Sequence, residues 1–331
     1  MPLLDFSWDT MFLTQENYDS WLTDYSDLCP PYKDLFIRGL NQFLQFYEGT
    51  QLVSFKVCFC LGRDFACDND HWVNFALSKG VEQLSLALSC LTLPSYETRH
   101  QCRRHELYIF RPVLLYGSDV SKLKLLSLRS CILGPDFHSI LYLCLNLESM
   151  ILLDCCLPVK LCISGSHLRL KSLEITNCTG MKQIDATSLT SFEHHGVTSF
   201  KHHGARVKFS FSTPSLEKVS IGTLDRRGVR YIFSKLAKDL PRVKTLSFIP
   251  VNNWVKCIPK QIGLFFPFIK VEQLNFFALG NTNFDIRRII AVLRACPRLQ
   301  KFHLVTRNPV EYVQEGMPVP TKSVHKYLKE S

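Results

Sequence analysis

The chain of 331 residues has no uninterrupted apolar run approaching the roughly 20 residues that cross a bilayer, which argues against a membrane-spanning helix. Its first residues, MPLLDFSWDTMF, offer neither a basic n-region nor an apolar core and do not read as a secretory leader. GxSxG, P-loop, GxGxxG, HExxH and CxxC stretches are all missing. With them go the usual signatures of serine hydrolases, nucleotide-dependent enzymes, zinc proteases and redox or zinc-knuckle sites. The 14 cysteines then have no route to an oxidising compartment. They are expected to be reduced and mostly buried as small apolar side chains, and the Asn177-Cys178-Thr179 sequon to be idle. The expected setting is the cytoplasm, the nucleus or both. No catalytic residue, cofactor or metal is assigned.

What is present is an ordinary soluble composition, 46% apolar and 21% charged, with the charge unevenly placed. Residues 1–195 carry 16 Lys/Arg against 21 Asp/Glu, a net of −5, and residues 196–331 carry 23 against 8, a net of +15. A basic half can hold nucleic acid or an acidic partner. It can equally be a solvated surface that keeps the protein in solution.

Self-similarity organises the chain. The template LxxLxLxx, closed by Cys or another small or apolar residue, is clearest in LKLLSLRSC (123–131), LESMILLDC (147–155) and LKSLEITNC (170–178), which start 24 and then 23 residues apart. Looser copies begin at residues 52, 81, 216, 243, 271 and 299. This is the pattern of leucine-rich repeats. Alternation inside each copy predicts a short strand with one buried face. The closing Cys60, Cys131, Cys155 and Cys178 would turn the chain and bond backbone in the neck of the coil. Between strands, GPDFHSILYLCLN (134–146) puts Phe137, Ile140, Leu141 and Cys144 on one helical stripe. DNDHWVNFALSKG (68–80) opens with capping residue types and ends at Gly80, while RGVRYIFSKLAKDLP (227–241) and NFDIRRIIAVLRACP (283–297) stop at proline. The expected fold is therefore α/β: a curved leucine-rich-repeat solenoid, with a parallel sheet on the concave face and helices and loops on the convex one. Residues 1–50 would be an acidic segment and capping helix, 51–307 the solenoid, and 308–331 a C-terminal tail.

TSFEHHGVTSFKHHG (190–204) places four histidines in ten residues and nearly repeats an eight-residue phrase. It falls between the copies starting at Leu170 and Leu216, where one unit is missing from the count. LTSFEHHG fits that unit's strand, and RVKFSF after the second phrase alternates as a strand does, so a bulge or hairpin is expected there. Neighbouring histidines on a strand face opposite ways, so at most one of each pair could meet, with no cysteine nearby. A duplicated piece of scaffold accounts for the stretch better than a metal centre.

HWVNFALSKGVEQLSLAL (71–88), SLTSFEHHG with RVKFSFSTPSLEKVSIG (188–222), CPRLQKFHLV (296–305) and HKYLKES (325–331) together resemble plant F-box/leucine-rich-repeat proteins of the FBD type, over most of the chain. The resemblance implies substrate recognition for an SCF-type (cullin-RING) ubiquitin ligase. In that family an F-box precedes the repeats and grips a Skp-type adaptor. Here LLDFSWDTMF resembles the segment just after it, no LPxxLLxxILSxLP-like stretch occurs, and HKYLKES resembles the start of the FBD-like region. A Skp-type adaptor and cullin are therefore expected as partners only if an F-box is supplied. The alternative is a stand-alone repeat protein that competes with full-length relatives for one target.

Either way the function expected is protein binding, without catalysis, through the non-core positions of the strands. These include Leu125, Ser127 and Arg129; Ser172, Glu174 and Thr176; Lys218 and Ser220; Gln273, Asn275 and Phe277; and Lys301, His303 and Val305. Leu125, Phe277 and Val305 are apolar where solvent is expected, which suits contact anchors or cover by neighbouring segments. Against nucleic acid stands the placement of Arg226, Arg227, Arg230, Lys235 and Lys238 on a convex helix, with little aromatic interleaving.

Overall fold

The computed structural model describes residues 2–7, 10–11, 25–88, 107–116, 120–163, 169–176, 178–186, 191–195, 208–211, 216–223, 242–250, 267–278 and 287–306. The helix expected at 227–241, the second histidine phrase and the C-terminal tail lie outside them. The chain forms two compact units. One comprises Met1–Leu161, Gly165–Leu170 and Cys178–Met181; the other comprises Cys162–Ser164, Lys171–Asn177 and Lys182–Ser331.

In the first unit the strands are Leu3–Ser7 (β1), Ser54–Cys58 (β2), Gln83–Ala87 (β3), Tyr108–Phe110 (β4), Leu125–Arg129 (β5), Cys131–Leu133 (β6) and Ser149–Leu153 (β7). Strands β1, β2, β3, β5 and β7 pair side by side, all parallel. β4 and β6 form a second, two-stranded parallel ladder. A further strand, Lys160–Ile163 (β8), spans residues of both units. The second unit contains Ser172–Thr176 (β9), Gln183–Ala186 (β10), Ser191–His195 (β11), Lys208–Phe211 (β12), Lys218–Thr223 (β13), Thr245–Pro250 (β14), Gln273–Ala278 (β15) and Lys301–Thr306 (β16). There β9, β11, β13, β14, β15 and β16 pair in that order, again parallel.

The template explains the strands. In β5, Leu126 and Leu128 are fully buried, as are the flanking Leu123 and Cys131, while Leu125, Ser127 and Arg129 are half-buried on the other face. Because successive side chains point to opposite faces, the apolar pair of one strand stacks on that of the next: Leu84 and Leu86 against Leu126 and Leu128, then Met150 and Leu152. Register is set before the strand begins. The carbonyl of Glu82 accepts from both Lys124 N and Leu125 N at 2.8 and 3.0 Å, and that of Lys124 from Glu148 N and Ser149 N at the same distances. In the second unit the carbonyls of Glu217, Lys244 and Glu272 do the same for the strand that follows.

Two successive coils of the first unit turn through one strained residue each. Ser130 and Asp154 hold φ of 57° and 52° at equivalent places, directly after β5 and β7. Short polar side chains are among the few that tolerate this left-handed region. Gly180, at φ +91°, has no alternative, since a Cβ there would lie 2.3 Å from the carbonyl oxygen of Leu157.

Cys131, Cys155 and Cys178 perform the neck role expected of them, and Cys60 is buried. The thiol of Cys155 donates to the carbonyls of Leu128 and Leu153 at 3.3 and 3.2 Å, that of Cys178 to Leu152 at 3.3 Å, and that of Cys131 to Arg129 at 3.5 Å. Isolated bridges Ile132–Cys156 and Cys156–Thr179 place the three in register on successive coils. The hydrogen bond with Cys155, then burial, holds the Cys131 thiol above its ordinary range, and burial, then the bond with Cys155, does the same for Cys178.

Helices cover the other side of the core. Tyr25–Phe46 (α1) buries Phe36, Leu40 and Leu44, with Phe36 stacked on Phe59 at 4.4 Å. In Ala66–Ser78 (α2) the residues expected to cap are inside the helix instead: the N-cap is Phe65 and no side chain caps it. Asp68 and Asn41 bond instead, as do Trp72 Nε1 and Asn41 Oδ1 at 2.6 Å, so these polar groups tie α2 to α1. The end at Gly80 is as expected, with φ +63°. The short Ser139–Leu143 (α3) follows a 3₁₀ turn, and Phe137, Ile140, Leu141 and Cys144 are all buried. Arg287–Arg294 (α4) stops before Pro297.

Two expectations change. The leader contributes a strand as well as a helix. Thr10 seals the far side of β1: its hydroxyl accepts from Ser7 N and donates toward the Asp5 and Ser7 carbonyls, each at 2.9 Å. The strand read from RVKFSF is β12, and its partner is β10 in parallel, so β12 is not the return arm of a hairpin with β11. Among the described residues, no helix is long and apolar enough to cross a membrane.

Deleting residues 1–46 is expected to uncover Phe55, Phe59 and Trp72 and to produce aggregation on size exclusion. The point substitution Phe36→Ala should cost about 3–5 kcal/mol in chemical denaturation. Burial alone pushes the thiols of Cys144 and Cys296 up to about 12. The unfolded chain therefore loses these protons first. Stability should be unaffected below the ordinary thiol value, 9.0, and should fall as pH rises from there through about 12. The double variant C144A/C296A should flatten that fall when denaturation midpoints are compared across the range.

Candidate protein-binding face

Every residue singled out from the sequence on the described strands lies on the sheet face opposite the buried apolar rows. In the first unit Leu125, Ser127 and Arg129 sit in register with Ser149, Ile151 and Leu153 of β7 and with Gln83, Ser85 and Ala87 of β3. Arg129 is not available as a bare cation, because its Nε is 3.0 Å from Asp154 Oδ2 with both side chains largely covered. The left-handed turn that presents Asp154 thus also positions the guanidinium. Leu125, Ile151 and Leu153 form a half-buried apolar group beside that pair. At the far edge Lys56 and Asp5 pair across the same face at 2.9 Å, each about two-fifths exposed.

In the second unit Glu174 is half-buried on β9 and accepts from Thr176 Oγ1 at 3.4 Å. Lys218, Lys301 and His303 are exposed, and Asn275 and Phe277 are half-buried. Asn275 donates to Ser247 Oγ at 2.9 Å and accepts from Gln273 Nε2 at 3.1 Å, a polar chain running over two strands. The structure brings Gln273, Asn275 and Phe277 beside Lys301, His303 and Val305, residue against residue. On β11, His194 is in register with the buried Ile175 and Ile221, and His195 with Thr176 and Gly222. The two belong to different rows, as the alternation argument required.

Sequence reasoning missed part of this face. Ser149, Ile151 and Leu153 escaped because MILL shows no polar alternation. Counting back from Cys155 as one counts from Cys131 would have placed Leu153 opposite Arg129. Thr245 and Ser247 lacked a closing cysteine to count from. A charged rim also went unread: the residue after the first template leucine or valine alternates in sign as Glu82, Lys124, Glu148 and Lys171, then as Glu217, Lys244 and Glu272. Glu82 meets Lys124 and Glu217 meets Lys244, both at 2.7 Å, and each glutamate raises its partner's ammonium pKa. Exposed pairs such as these contribute little stability.

The described residues bring together no nucleophile, base and polarising group. Tyr108, Asp70 and Arg111 do converge, with Tyr108 OH donating to Asp70 at 2.5 Å and Arg111 pairing with the same carboxylate. Tyr108 is fully buried, and burial followed by Asp70 raises its phenol pKa. The cluster links α2 to β4. Among the described residues no group of three or more His, Cys, Asp or Glu side chains could hold a metal ion.

Repeated parallel strands, one buried face and one presented in rows now stand together. Residues 47–324 match the family described as At1g61320/AtMIF1, LRR domain. The chain belongs to that leucine-rich-repeat family. The match starts near the expected onset at residue 51 and runs past 307, into the segment read as a tail. None of the curated proteins matches this chain. A leucine-rich-repeat domain is a repeat module of the protein-binding kind.

Asp154→Val should lose the Arg129 pair and force a β-branched residue into the left-handed region. It should destabilise by more than about 1 kcal/mol, whereas Asp154→Gly should lose the pair and keep the turn. Urea denaturation of the two variants makes the comparison.

Proposed function

We propose that this chain is the substrate-recognition part of an SCF-type ubiquitin-ligase receptor of the plant F-box/leucine-rich-repeat kind. Its coils stack as a solenoid, its target protein lies on the open face of the sheet, and it performs no catalysis itself. The observation that carries the reading is the open face itself. It presents in-register rows of half-buried and exposed side chains that the core does not need, with apolar anchors at Leu125, Phe277 and Val305 among polar neighbours. The resemblance of residues 71–88, 188–222 and 296–305 to that family supplies the ligase context. A Skp-type adaptor and a cullin belong to the assembly when an F-box is joined to the repeats.

The reading is tested by recovering partners from plant extract with this chain and with a version carrying an F-box fused in front. The fused version should recover a Skp-type adaptor and cullin together with a target protein. If target recovery occurs with both and adaptor recovery with neither, the chain is a stand-alone binder and the ligase role fails. The triple variant R129E/E174K/F277A should lose the target by tenfold or more in the same recovery. Unchanged capture would remove the open face from the binding surface.

A further inference from the structure

The open face of β13–β16 changes chemistry along the strands. Its first row, in register, is Lys218, Thr245, Gln273 and Lys301; its second is Ser220, Ser247, Asn275 and His303. The third ends in Phe277 and Val305, the latter 44% exposed. No carboxylate occupies any of the three rows. Just ahead of the strands the same sign prevails. Arg242, Lys270 and Arg298 each stand three residues before β14, β15 and β16, and all are exposed. The two rim carboxylates are Glu217, already bound to Lys244 at 2.7 Å, and Glu272. A hollow of about 220 Å³ opens between this rim and the first row.

Successive rows are two residues apart along a strand, so the cationic and apolar rows lie about 13 Å from each other. An α-helix with its side chains is about 10–12 Å across. Four strands at about 4.8 Å spacing present about 14 Å of row, the length of some ten helical residues.

We propose that the open face of β13–β16 receives an acidic amphipathic helix of the partner protein. The helix lies across the strands, with its carboxylate flank on Lys218 and Lys301 and its apolar flank on Phe277 and Val305, above the hydrogen-bonding middle row. This rests on the reading of the open face as the binding surface and adds the chemistry of what binds. A nucleic acid would use the cations and could stack a base on Phe277. It has no apolar helical flank to lay on Val305, so a direct comparison of an acidic peptide with an oligonucleotide separates the two ligands experimentally.

The test is fluorescence anisotropy of the full chain with a labelled 14-residue helical peptide bearing Glu on one flank and Leu on the other. A Lys/Leu peptide of the same design and an oligo-dT strand serve as comparisons. The Glu/Leu peptide should bind, more weakly as salt rises. K218E/K301E should weaken it by about tenfold or more, as should F277S/V305S, with circular dichroism confirming that each variant is folded. Equal binding of the Lys/Leu peptide, indifference to K218E/K301E, or tighter binding of oligo-dT than of the Glu/Leu peptide would each overturn the proposal. Recovery of the natural target separates the two levels. Loss with R129E/E174K/F277A but not with K218E/K301E keeps the open face and discards the acidic helix. Insensitivity to both sets of changes discards the face as well.

Discussion

One backbone carbonyl per repeat, accepting from two successive amides of the next repeat, is the constraint on which each unit rests. It fixes where a strand begins relative to its neighbour, and in a structure with a side-chain period of two that decides which residues are buried. A slip of one residue would turn Leu126 and Leu128 outward and bring Ser127 and Arg129 into the core. Given the correct phase, the leucines of successive strands stack without further instruction, and the polar positions fall into rows. The face on which a partner can lie is therefore a by-product of the same registration that builds the core.

Much of this was legible from the chain alone, and the reason is physical. Leucine spacing encodes burial, burial encodes phase, and a cysteine after the strand marks a turn too narrow for most side chains, which is why the β5 and β9 repeats could be read residue by residue. Helix ends were legible where backbone chemistry dictates them, at Gly80 and before Pro297. Legibility failed where two roles use the same residue types. An acidic, aromatic leader looks like a cover, and its few strand residues gave no periodicity long enough to show β1. Asp68, Asn69 and Asp70 look like caps, but the helix starts two residues earlier and Asp68 bonds to α1 while Asp70 bonds to Tyr108 of β4. Ile151 and Leu153 look like core because leucine and isoleucine do not reveal which face they occupy.

The open face was legible as a set of positions but not as a pattern of chemistry. Row membership depends on pairing, and only the pairing shows that Lys218 and Lys301 share a row three strands apart, or that Phe277 and Val305 are adjacent. The two units also differ in how they treat charge. In the first, Lys56 and Arg129 on the open face are matched by Asp5 and Asp154. In the second, the first row of β13–β16 carries lysines and no acid. That contrast follows the division of net charge along the chain and gives it a location.

Thr10 has a meaning beyond its own bonds. A parallel sheet assembled from like units is a growing object: each strand added leaves a fresh set of carbonyls and amides ready for one more. Strand β1 ends the ladder of the first unit, yet a hydroxyl from its own chain already occupies the groups of Asp5 and Ser7 that another strand would need. A second molecule approaching that side finds the Ser7 amide and the Asp5 and Ser7 carbonyls already taken, so extending the sheet there would first have to break bonds that the chain makes with itself.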